Sequence, residues 1–530
     1  MEDAARNQAE KGGTGERTRI FISYKRDVKP DDPIAMHVYK ALGRAHEVFI
    51  DQTMLVGTRW AECIEAELRR SDYFIAFLSP DSILSEMVLG EIKMAHRLYQ
   101  EQGRPVILPV RMAYREPFTY PLNMYLDAIN WALWGGYDDT PRLVAELTQA
   151  VSGGVLNIDK KAQAGVLEES EPPAIPPALP AAQPPPRLES ANAPVDPQSA
   201  FYVERPVDRV ALSAIKRRGA TVTIKGPHHM GKSSLLMRTI QAAAQAGKHV
   251  VFLDFQLFDE ATLQDADAFF RHFCAWLTDE LEMENRVEEY WTMPLGRSLR
   301  CTRYVDRYLL KELDAPLVLA MDEVETIFGT DFRTDFFSML RSWHDERAKK
   351  KWRSGQLVEP RWKQLDLVLV TSTEPYQWNE SLNQSPFNVG EAIELTDFDP
   401  KQVAKLNRKH GAPLSSEEVT ALMDLLGGHP YLTRRALYLI ASGRSTMADL
   451  QARAIDDDGP FGDHLRHHLF GLRGHDELID CFKQILRRPT RPDDEHFWRL
   501  RGAGLVRRHD DIVVPRCLLY DRYFRKRLDV

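Results

Sequence analysis

The sequence predicts a multidomain α/β protein, and three observations lead to this prediction. At 530 residues the chain is too long for one hydrophobic core, since domains average about 150 residues. Near the N-terminus, apolar runs of strand length alternate with helix-period patterns. A proline-rich run then interrupts the chain, and beyond it a glycine-rich loop joins a strand to a helix.

The composition narrows the class of protein. The chain is 43% hydrophobic and 28% charged with a net charge of −8, as in ordinary soluble globular proteins and unlike nucleic-acid-coating proteins. No run reaches the roughly 18 apolar residues that a membrane span needs. The five scattered cysteines exclude a zinc ribbon and a disulfide framework. With no apolar signal-peptide core at the N-terminus, we expect a cytoplasmic protein without membrane contact.

The clearest boundary is the proline-rich run. Ten of the 32 prolines lie within residues 172–197, among few side chains that could form a core. Proline also removes backbone donors, so the run predicts a semi-rigid linker that could reach about 80 Å as polyproline II. A docking site for an SH3-like partner is the alternative interpretation.

The residues before this linker predict a doubly wound, flavodoxin-like domain. Buried parallel strands are expected at residues 19–24, 47–51, 73–79 and 105–111, with helices between them at 34–45, 60–70 and 86–100. Ligands of such domains bind at the carboxyl ends of the strands.

Those strand ends carry a family resemblance. Phe-Ile-Ser-Tyr at 21–24 closes the first strand, Asp51 ends the second, Ser-Pro at 79–80 ends the third, and residues 85–91 open a helix. This order resembles TIR domains over about 135 residues. In enzymatically active TIR domains the helix opens with Ser-x-Trp-x-x-x-Glu, whose glutamate is essential for cleaving NAD. The matching residue here is Glu91.

The chemistry of that cleavage suits a single carboxylate. Breaking the nicotinamide–ribose bond builds oxocarbenium character, which Glu91 would stabilise, and nicotinamide leaves as a neutral base without a general acid. Met87 replaces the tryptophan of the motif. Alternatively, Glu91 is a solvated glutamate that the helix dipole favours. The resemblance implies that NAD⁺ contacts Ser23, Tyr24, Arg26, Asp51 and Trp60.

The strongest motif follows the linker. A strand at 220–225 leads into Gly-Pro-His-His-Met-Gly-Lys-Ser at 226–233, and a helix at 234–245 follows. This is the G-x-x-x-x-G-K-S phosphate loop in the strand–loop–helix setting that it requires. Its N–H groups wrap a phosphate, Lys232 reaches the outer phosphates and Ser233 holds Mg²⁺. The predicted ATP-binding residues are Gly226, Gly231, Lys232, Ser233 and Ser234.

Two later strands complete the predicted ATPase site. The strand at 316–321 ends in Asp322 and Glu323, which would orient Mg²⁺ and polarise the attacking water, although an acidic pair can simply end a strand. The strand at 365–370 ends in Thr371, which could sense the γ-phosphate. Arg341 is either a finger that reaches a neighbouring subunit's phosphate or a surface arginine.

Residues 201–530 as a whole resemble the AAA-like ATPases found beside bacterial signalling domains, within the STAND class of NTPase switches. Phe-Tyr-Val-Glu-Arg-Pro-Val-Asp at 201–208 and Gly-Gly-His-Pro-Tyr at 427–431 extend this resemblance. It implies that Pro430 packs near the adenine, although Pro430 could simply separate two helices. The predicted order is a disordered N-terminus (1–16), a TIR domain (17–155), the linker (156–200), a nucleotide-binding domain (201–397), a helical lid (398–460) and a winged helix (461–530).

The C-terminal segment is basic. Residues 482–528 hold 13 Lys and Arg against six Asp and Glu, and their pattern resembles a winged helix. Such a module either binds DNA or, as in STAND proteins, packs on the nucleotide domain as a latch. The pair at 509–510 faintly resembles the His–Asp pair of some latches. Other histidines are expected to be loop-packing and surface residues rather than metal ligands: His228, His229, His467 and His468.

Together these features predict an ATP-controlled, oligomerising NAD⁺ glycohydrolase. Assembly would bring a neighbour's loop between Asp51 and Gly57 to Glu91, and the resemblance implies a role in bacterial anti-phage defence. The chain ends at Val530 without a repeat sensor, so the trigger is expected to be sensed by a separate partner protein or through the compact switch itself. Two alternatives stay open: a non-enzymatic TIR scaffold, which Met87 favours, and a DNA-binding regulator, which the basic segment favours.

Overall fold

A computed structural model gives the fold. It describes residues 17–26, 28–50, 60–118, 122–126, 129–152, 188–189, 195–349, 351–353, 356–372, 386–472 and 474–530, with backbone alone at 60–63, 84, 86, 351–353, 356–358 and 494. The chain divides into two compact units, Met1–Ala182 and Gln183–Val530. In the described ranges, every helix is too short or too polar to cross a bilayer.

The sheet of the N-terminal unit has five strands: β1 (Arg19–Ser23), β2 (Glu47–Ile50), β3 (Tyr73–Leu78), β4 (Val106–Met112) and β5 (Ala132–Trp134). All pairings are parallel and the order is β2-β1-β3-β4-β5, which confirms the flavodoxin-like prediction. The sequence analysis did not predict β5, whose three residues are too few to show a strand pattern.

In the part of this unit that the structure describes, five helices accompany the sheet: α1 (Asp31–Leu42), α2 (Trp60–Arg70), α3 (Glu86–Gln102), α4 (Leu122–Leu126) and α5 (Thr140–Val151). Helix α1 begins three residues before the predicted start, because Asp31 and Asp32 form an acidic first turn that complements the helix dipole. Helix α3 begins after Ser85, whose side chain accepts a hydrogen bond from the Val88 N–H, and ends before left-handed Gly103.

The main sheet of the second unit also has five parallel strands: β6 (Thr221–Lys225), β7 (His249–Asp254), β8 (Leu317–Asp322), β11 (Leu365–Thr371) and β12 (Glu391–Glu394). Their order is β12-β6-β11-β8-β7, so β11 lies between the strand before the phosphate loop and the strand that ends in Asp322. Strands β7 and β12 are additional to the three predicted ones. A separate antiparallel pair consists of β9 (Lys351–Arg353) and β10 (Gln356–Val358).

Helices accompany this sheet: α6 (Pro206–Ala214), α7 (Lys232–Gln245), α8 (Glu260–Gln264), α9 (Ala266–Glu280), α10 (Val287–Trp291), α11 (Arg297–Tyr304), α12 (Leu310–Glu312) and α13 (Arg333–Glu346). An aromatic cluster joins α9 to α13. The Phe269 ring lies 4.5 Å from that of Phe332 and 5.3 Å from that of Phe336. This packing holds the outer helices on the sheet edge formed by β7 and β8.

The rest of the second unit shares one core. It contains α14 (Pro400–Lys409), α15 (Ser416–Leu426), α16 (Pro430–Ala441), α17 (Met447–Ala452), α18 (Gly462–Gly471), α19 (Asp476–Arg487), α20 (Asp494–Gly502), β13 (Val506–His509), β14 (Ile512–Pro515) and α21 (Leu518–Arg527). Strands β13 and β14 form an antiparallel hairpin between α20 and α21. Two helices, a hairpin and a final helix follow the predicted winged-helix order, and the winged-helix assignment stays a prediction.

Candidate functional site

Glu91 lies in the second turn of α3 and is only 8% exposed. The Ser23 hydroxyl, at the carboxyl end of β1, donates a 2.5 Å hydrogen bond to Glu91 Oε2. Because β1 lies inside the sheet, its end meets the start of α3, and this contact joins residues 68 apart in the sequence. The Glu91 carboxylate is therefore held in a fixed place at the carboxyl ends of the strands rather than solvated on a helix surface.

The structure describes only some of the other predicted NAD⁺ contacts. Tyr24 is buried directly after β1, and Arg26 lies in the turn that follows. Met87 lies four residues before Glu91 on α3, so both residues are on one face of the helix. Asp51 and the loop to Gly57 lie outside the described residues, as does the side chain of Trp60.

A second buried carboxyl in this unit was missed by the sequence analysis. Asp31, in the first turn of α1, accepts a 2.8 Å hydrogen bond from the Ser79 hydroxyl after β3. Burial raises the pKa of Asp31 to about 7, although hydrogen bonds from Ser79 and Ser82 oppose the shift. Two acidic residues before an apolar helical pattern were the available signal.

The phosphate loop has the conformation that its motif requires. Gly226 and Gly231 have φ of 152° and 86°, and a Cβ on Gly226 would lie 3.2 Å from the Leu395 carbonyl oxygen. Helix α7 begins at Lys232, so its first N–H groups point into the loop. The buried Lys232 ammonium donates to the Pro227 carbonyl at 3.0 Å, and the Ser234 hydroxyl accepts from the Val195 N–H at 2.9 Å.

Asp322 joins the loop to the end of β8. The Ser233 hydroxyl donates to Asp322 Oδ2 at 3.0 Å. Asp322 is fully buried; burial raises its pKa, the nearby charges of Glu323 and Asp254 raise it further, and Lys232 opposes the shift. Asp254, which the sequence analysis missed, ends β7 directly opposite Asp322. Hydroxyl and carboxylate oxygens are ligands that Mg²⁺ prefers, so Ser233 and Asp322 fit the predicted metal site.

Two glutamates follow Asp322. Glu323 has a left-handed backbone with φ of 53°, whereas Glu325 accepts a 2.7 Å hydrogen bond from the Ser372 N–H after β11. Burial of the Glu325 carboxyl and the charge of Glu323 raise the pKa of Glu325 to about 7. Thr371 is buried at the end of β11, between the loop strand and β8. Glu323 and Thr371 were predicted from the sequence, whereas Glu325 was not.

Segments far from the loop in sequence support it. Arg205 donates to the Met230 carbonyl at 2.8 Å and lies 4.8 Å from the centre of the Phe398 ring. The Phe398 backbone in turn packs against Gly428, where a Cβ would come 2.1 Å from the Phe398 carbonyl oxygen. Pro430 is the buried first residue of α16, close to this contact. Its proximity to adenine stays a prediction.

The C-terminal segment also contacts the loop. The His228 N–H donates to the carbonyl of Gly502, the last residue of α20, at 3.2 Å. Arg516 donates to Asp397 Oδ1 at 2.7 Å and to the Met230 sulfur at 2.8 Å. His509, the last residue of β13, and Asp510, in the turn after it, instead lie exposed at the end of the β13–β14 hairpin. Within the basic segment, Gly502 and Arg516 are residues that contact the loop.

Several basic side chains of this segment form ion pairs within the chain: Arg491 with Asp511, Arg501 with Glu394, Arg525 with Asp521 and Arg527 with Asp457. Arg341 on α13 likewise pairs with Asp345 at 3.0 Å. His228 and His229 lie in the loop as expected. The prediction that His468 is a surface residue is wrong, because it is 7% exposed on the inner face of α18, one turn after buried His464.

The parallel sheets, the phosphate loop and its strand-end carboxyls define a P-loop ATPase-like protein with a second α/β unit before it. The family model of the AAA-like domain matches residues 190–526, well over half of the chain, and that of the TIR domain matches residues 20–147. The chain thus belongs to the AAA-like domain family and carries an N-terminal TIR domain.

One relative is an uncharacterized WD repeat-containing protein from Synechocystis sp., with 26% identity over 342 residues. The match covers 58% of this chain and 27% of the relative, so the chain spans about a quarter of that relative's length.

Similar solved structures include the Walker-type ATPase of Pyrococcus abyssi, with 12% identity, coverage of 62% of this chain and 98% of that one, and a TM-score of 0.46. A STAND protein with a tetratricopeptide repeat sensor from Pyrococcus horikoshii has 15% identity, coverage of 64% and 44%, and a TM-score of 0.31. AMPPCP-bound DnaA from Aquifex aeolicus has 14% identity, coverage of 52% and 75%, and a TM-score of 0.30. At these scores the similarities add no argument about function.

Proposed function

We propose that this chain is a nucleotide-controlled TIR effector that cleaves NAD⁺ into nicotinamide and an ADP-ribose product. The observation that carries the proposal is the buried Ser23–Glu91 pair at the carboxyl edge of the first sheet. When the nicotinamide–ribose bond breaks, its electron pair leaves with nicotinamide and positive charge develops on the ribose. A fixed carboxylate in a site of low dielectric constant stabilises that charge more strongly than a solvated one.

ATP and Mg²⁺ are the proposed ligands of the second unit. Ser233 and Asp322 would hold the metal ion, which would offset phosphate charge, and Lys232 would contact the outer phosphates. The raised pKa of Asp322 supports this assignment, because a cation would stabilise the ionised form of a carboxyl that burial and its acidic neighbours disfavour. Glu323 is the proposed residue that polarises the attacking water.

The C-terminal segment is the proposed latch of this switch. Gly502 and Arg516 contact the phosphate loop directly, so a change in the loop on nucleotide binding would alter the packing of this segment. Release would permit oligomerisation, and tethered TIR domains would then complete one another's clefts at high local concentration. A separate protein would supply the trigger, and depletion of NAD⁺ would serve in anti-phage defence.

A non-enzymatic TIR scaffold is the second candidate, and Met87 in place of the motif tryptophan favours it. In a scaffold, ATP hydrolysis would be the only chemistry, and TIR domains would act by binding one another. The DNA-binding alternative has weaker support, because six arginines of the basic segment are paired with carboxylates of this same chain.

The test is nicotinamide release from NAD⁺ by the purified full chain with ATP and Mg²⁺. Glu91→Gln should lower the rate by roughly 100- to 1000-fold, the range for losing one preorganised charge-stabilising group. Lys232→Ala should abolish activity by preventing nucleotide binding. The matched control is Glu101→Gln, which removes a carboxylate paired with Arg97 near the end of the same helix.

Two outcomes would contradict the proposal. Full activity in Lys232→Ala would separate NAD⁺ cleavage from nucleotide control. If the wild type releases no nicotinamide even when a bivalent antibody against an N-terminal tag brings chains together, the scaffold function replaces the enzymatic one.

A further inference from the structure

Three histidines from distant parts of the second unit meet beside the phosphate loop. His229 belongs to the loop, whereas His464 and His468 lie on α18. One ring nitrogen from each of the three lies within 4.8 Å of the other two. The His229 ring is 5.0 Å from that of His464 and 6.0 Å from that of His468, so the cluster joins the loop to the C-terminal region.

The spacing on α18 suits a metal ion. Residues four apart on a helix present their side chains on one face, and two histidines at this spacing are a recurrent metal-binding arrangement. Here both rings are almost fully buried, and the two Nε2 atoms are 3.1 Å apart. Two ligand nitrogens of a tetrahedral zinc ion, each about 2.05 Å from the metal, are about 3.3 Å apart. A small outward movement of the rings would therefore open the coordination site.

An oxygen atom lies at the same point. The Tyr520 hydroxyl is 2.6 Å from His464 Nε2 and 3.1 Å from His468 Nε2, so these three atoms form a compact triangle. The donors are imidazole nitrogens and a phenol oxygen. Imidazole ligands favour zinc and neighbouring transition metals, whereas Mg²⁺ and Ca²⁺ prefer carboxylate, carbonyl and water oxygens.

The backbone of the loop presents His229 to this cluster. His229 has φ of 64°, a left-handed conformation that is uncommon for residues other than glycine. Its ring lies 5.1 Å from that of Tyr431, which is also 5.1 Å from the His464 ring. The Tyr431 ring of α16 thus packs against two of the three histidine rings.

We propose that His229, His464 and His468 bind one divalent transition-metal ion, Zn²⁺ in the first instance, with the Tyr520 hydroxyl beside it as the fourth donor. This site is separate from the proposed Mg²⁺ site at Ser233 and Asp322. A metal ion bound here would fix the phosphate loop to α18 and α21, and so restrain the loop when nucleotide exchanges.

The first experiment measures metal binding without nucleotide, so its outcome does not depend on the proposed function. Untagged full chain is stripped with a chelator and titrated with Zn²⁺ against a chelating dye, and Co²⁺ is added in a parallel sample. The expected result is one Zn²⁺ per chain and an intense visible Co²⁺ spectrum, typical of tetrahedral coordination. Less than stoichiometric binding overturns the proposal.

Variants then locate the ion. His464→Ala, His468→Ala and His229→Ala should each weaken Zn²⁺ binding by at least about 100-fold, and Tyr520→Phe by roughly 10- to 100-fold. His467→Ala, a neighbouring histidine outside the cluster, is the matched control and should bind normally. Circular dichroism identifies variants that fail to fold, in which case His468→Gln replaces them. Unchanged affinity in a folded His468 variant overturns the site.

The proposed effect on the loop rests on the proposed nucleotide binding and is tested separately. Zn²⁺ should slow release of a fluorescent ADP analogue by severalfold in the wild type and leave His468→Gln unaffected. Equal release rates with and without Zn²⁺, in protein that binds both ligands, would contradict the restraint but not the metal site.

Discussion

The two units both place carboxylates at the carboxyl edge of a parallel sheet, but in opposite electrostatic settings. In the first unit Glu91 accepts a hydrogen bond from the Ser23 hydroxyl and, under the proposed function, would face a substrate in which positive charge develops. In the second unit Asp322 lies near Glu323 and Asp254, and the expected ligand is itself a polyanion. Under the proposed function the first site would act with one ionised side chain, whereas the second would need cations before its carboxylates and the phosphates could approach each other.

The largest expected effect is on ATP hydrolysis, and it tests whether the site of the second unit needs a cation. Asp322→Asn removes the charge that would hold Mg²⁺, so phosphate release from ATP should fall by roughly 100- to 1000-fold. Asp335→Asn, which removes a carboxylate paired with Arg297 on the surface of α13, is the control and should be nearly neutral. If ATP hydrolysis by Asp322→Asn depended on Mg²⁺ as it does in the wild type, the contrast between the two units would not hold.

Substitutions of the two glutamates after Asp322 should slow ATP hydrolysis to different degrees. Glu323→Gln is expected to slow hydrolysis by about 100-fold and Glu325→Gln by about tenfold, since only Glu323 is assigned to water activation. With a pKa of about 7, Glu325 gains a proton as the pH falls through neutrality. Wild-type hydrolysis should therefore decline toward pH 6, and Glu325→Gln should have a flatter profile. The reverse order of rates would assign water activation to Glu325.

In the first unit, Ser23→Ala removes the hydroxyl that holds Glu91. A hydrogen bond to a charged group contributes about 1.5–3 kcal/mol, so the kcat for nicotinamide release should fall by at least about tenfold. Ser23→Thr keeps the hydroxyl and should recover much of the rate. Ser71→Ala, which removes a hydroxyl that donates to the Glu67 carbonyl, is the matched control. Equal rates in Ser23→Ala and the wild type would show that Glu91 needs no such support.

The smallest expected effect is on stability, at Asp31. Its pKa of about 7 exceeds the usual value of 3.8, so between these pH values the folded unit keeps a proton that the unfolded chain releases. Stability is therefore lost as the pH rises through 7. Asp31→Asn should raise the N-terminal melting transition by several degrees at pH 8 and little at pH 4. Calorimetry at both pH values checks this, and an equal shift at both would exclude the pKa as the cause.

The sequence predicted best what local patterns determine. The flavodoxin-like fold and the phosphate loop with its strand and helix are confirmed, because each depends on neighbouring residues and known spacing. Glu91 and Ser23 were both selected from a resemblance, but their contact across 68 residues required the folded sheet. The NAD⁺ and ATP roles of the selected residues stay predictions.

The residues that were missed are brought to the sites by tertiary structure. Asp254 reaches Asp322 only because β7 pairs with β8, and Glu325 is recognisable only through its bond to Ser372. The buried His464 and His468 had a local signal, since they are four residues apart on one helix. The cluster is recognisable only in the folded protein, because its third member, His229, lies more than 200 residues earlier in the sequence.

The hydrogen bond from the His228 N–H to the Gly502 carbonyl has one more consequence. A backbone amide has a single hydrogen, so a phosphate oxygen that accepts it would leave the end of α20 without its donor. Phosphate and the C-terminal segment would then compete for the same amide hydrogen. By thermodynamic reciprocity, the factor by which phosphate weakens this docking equals the factor by which docking weakens phosphate binding.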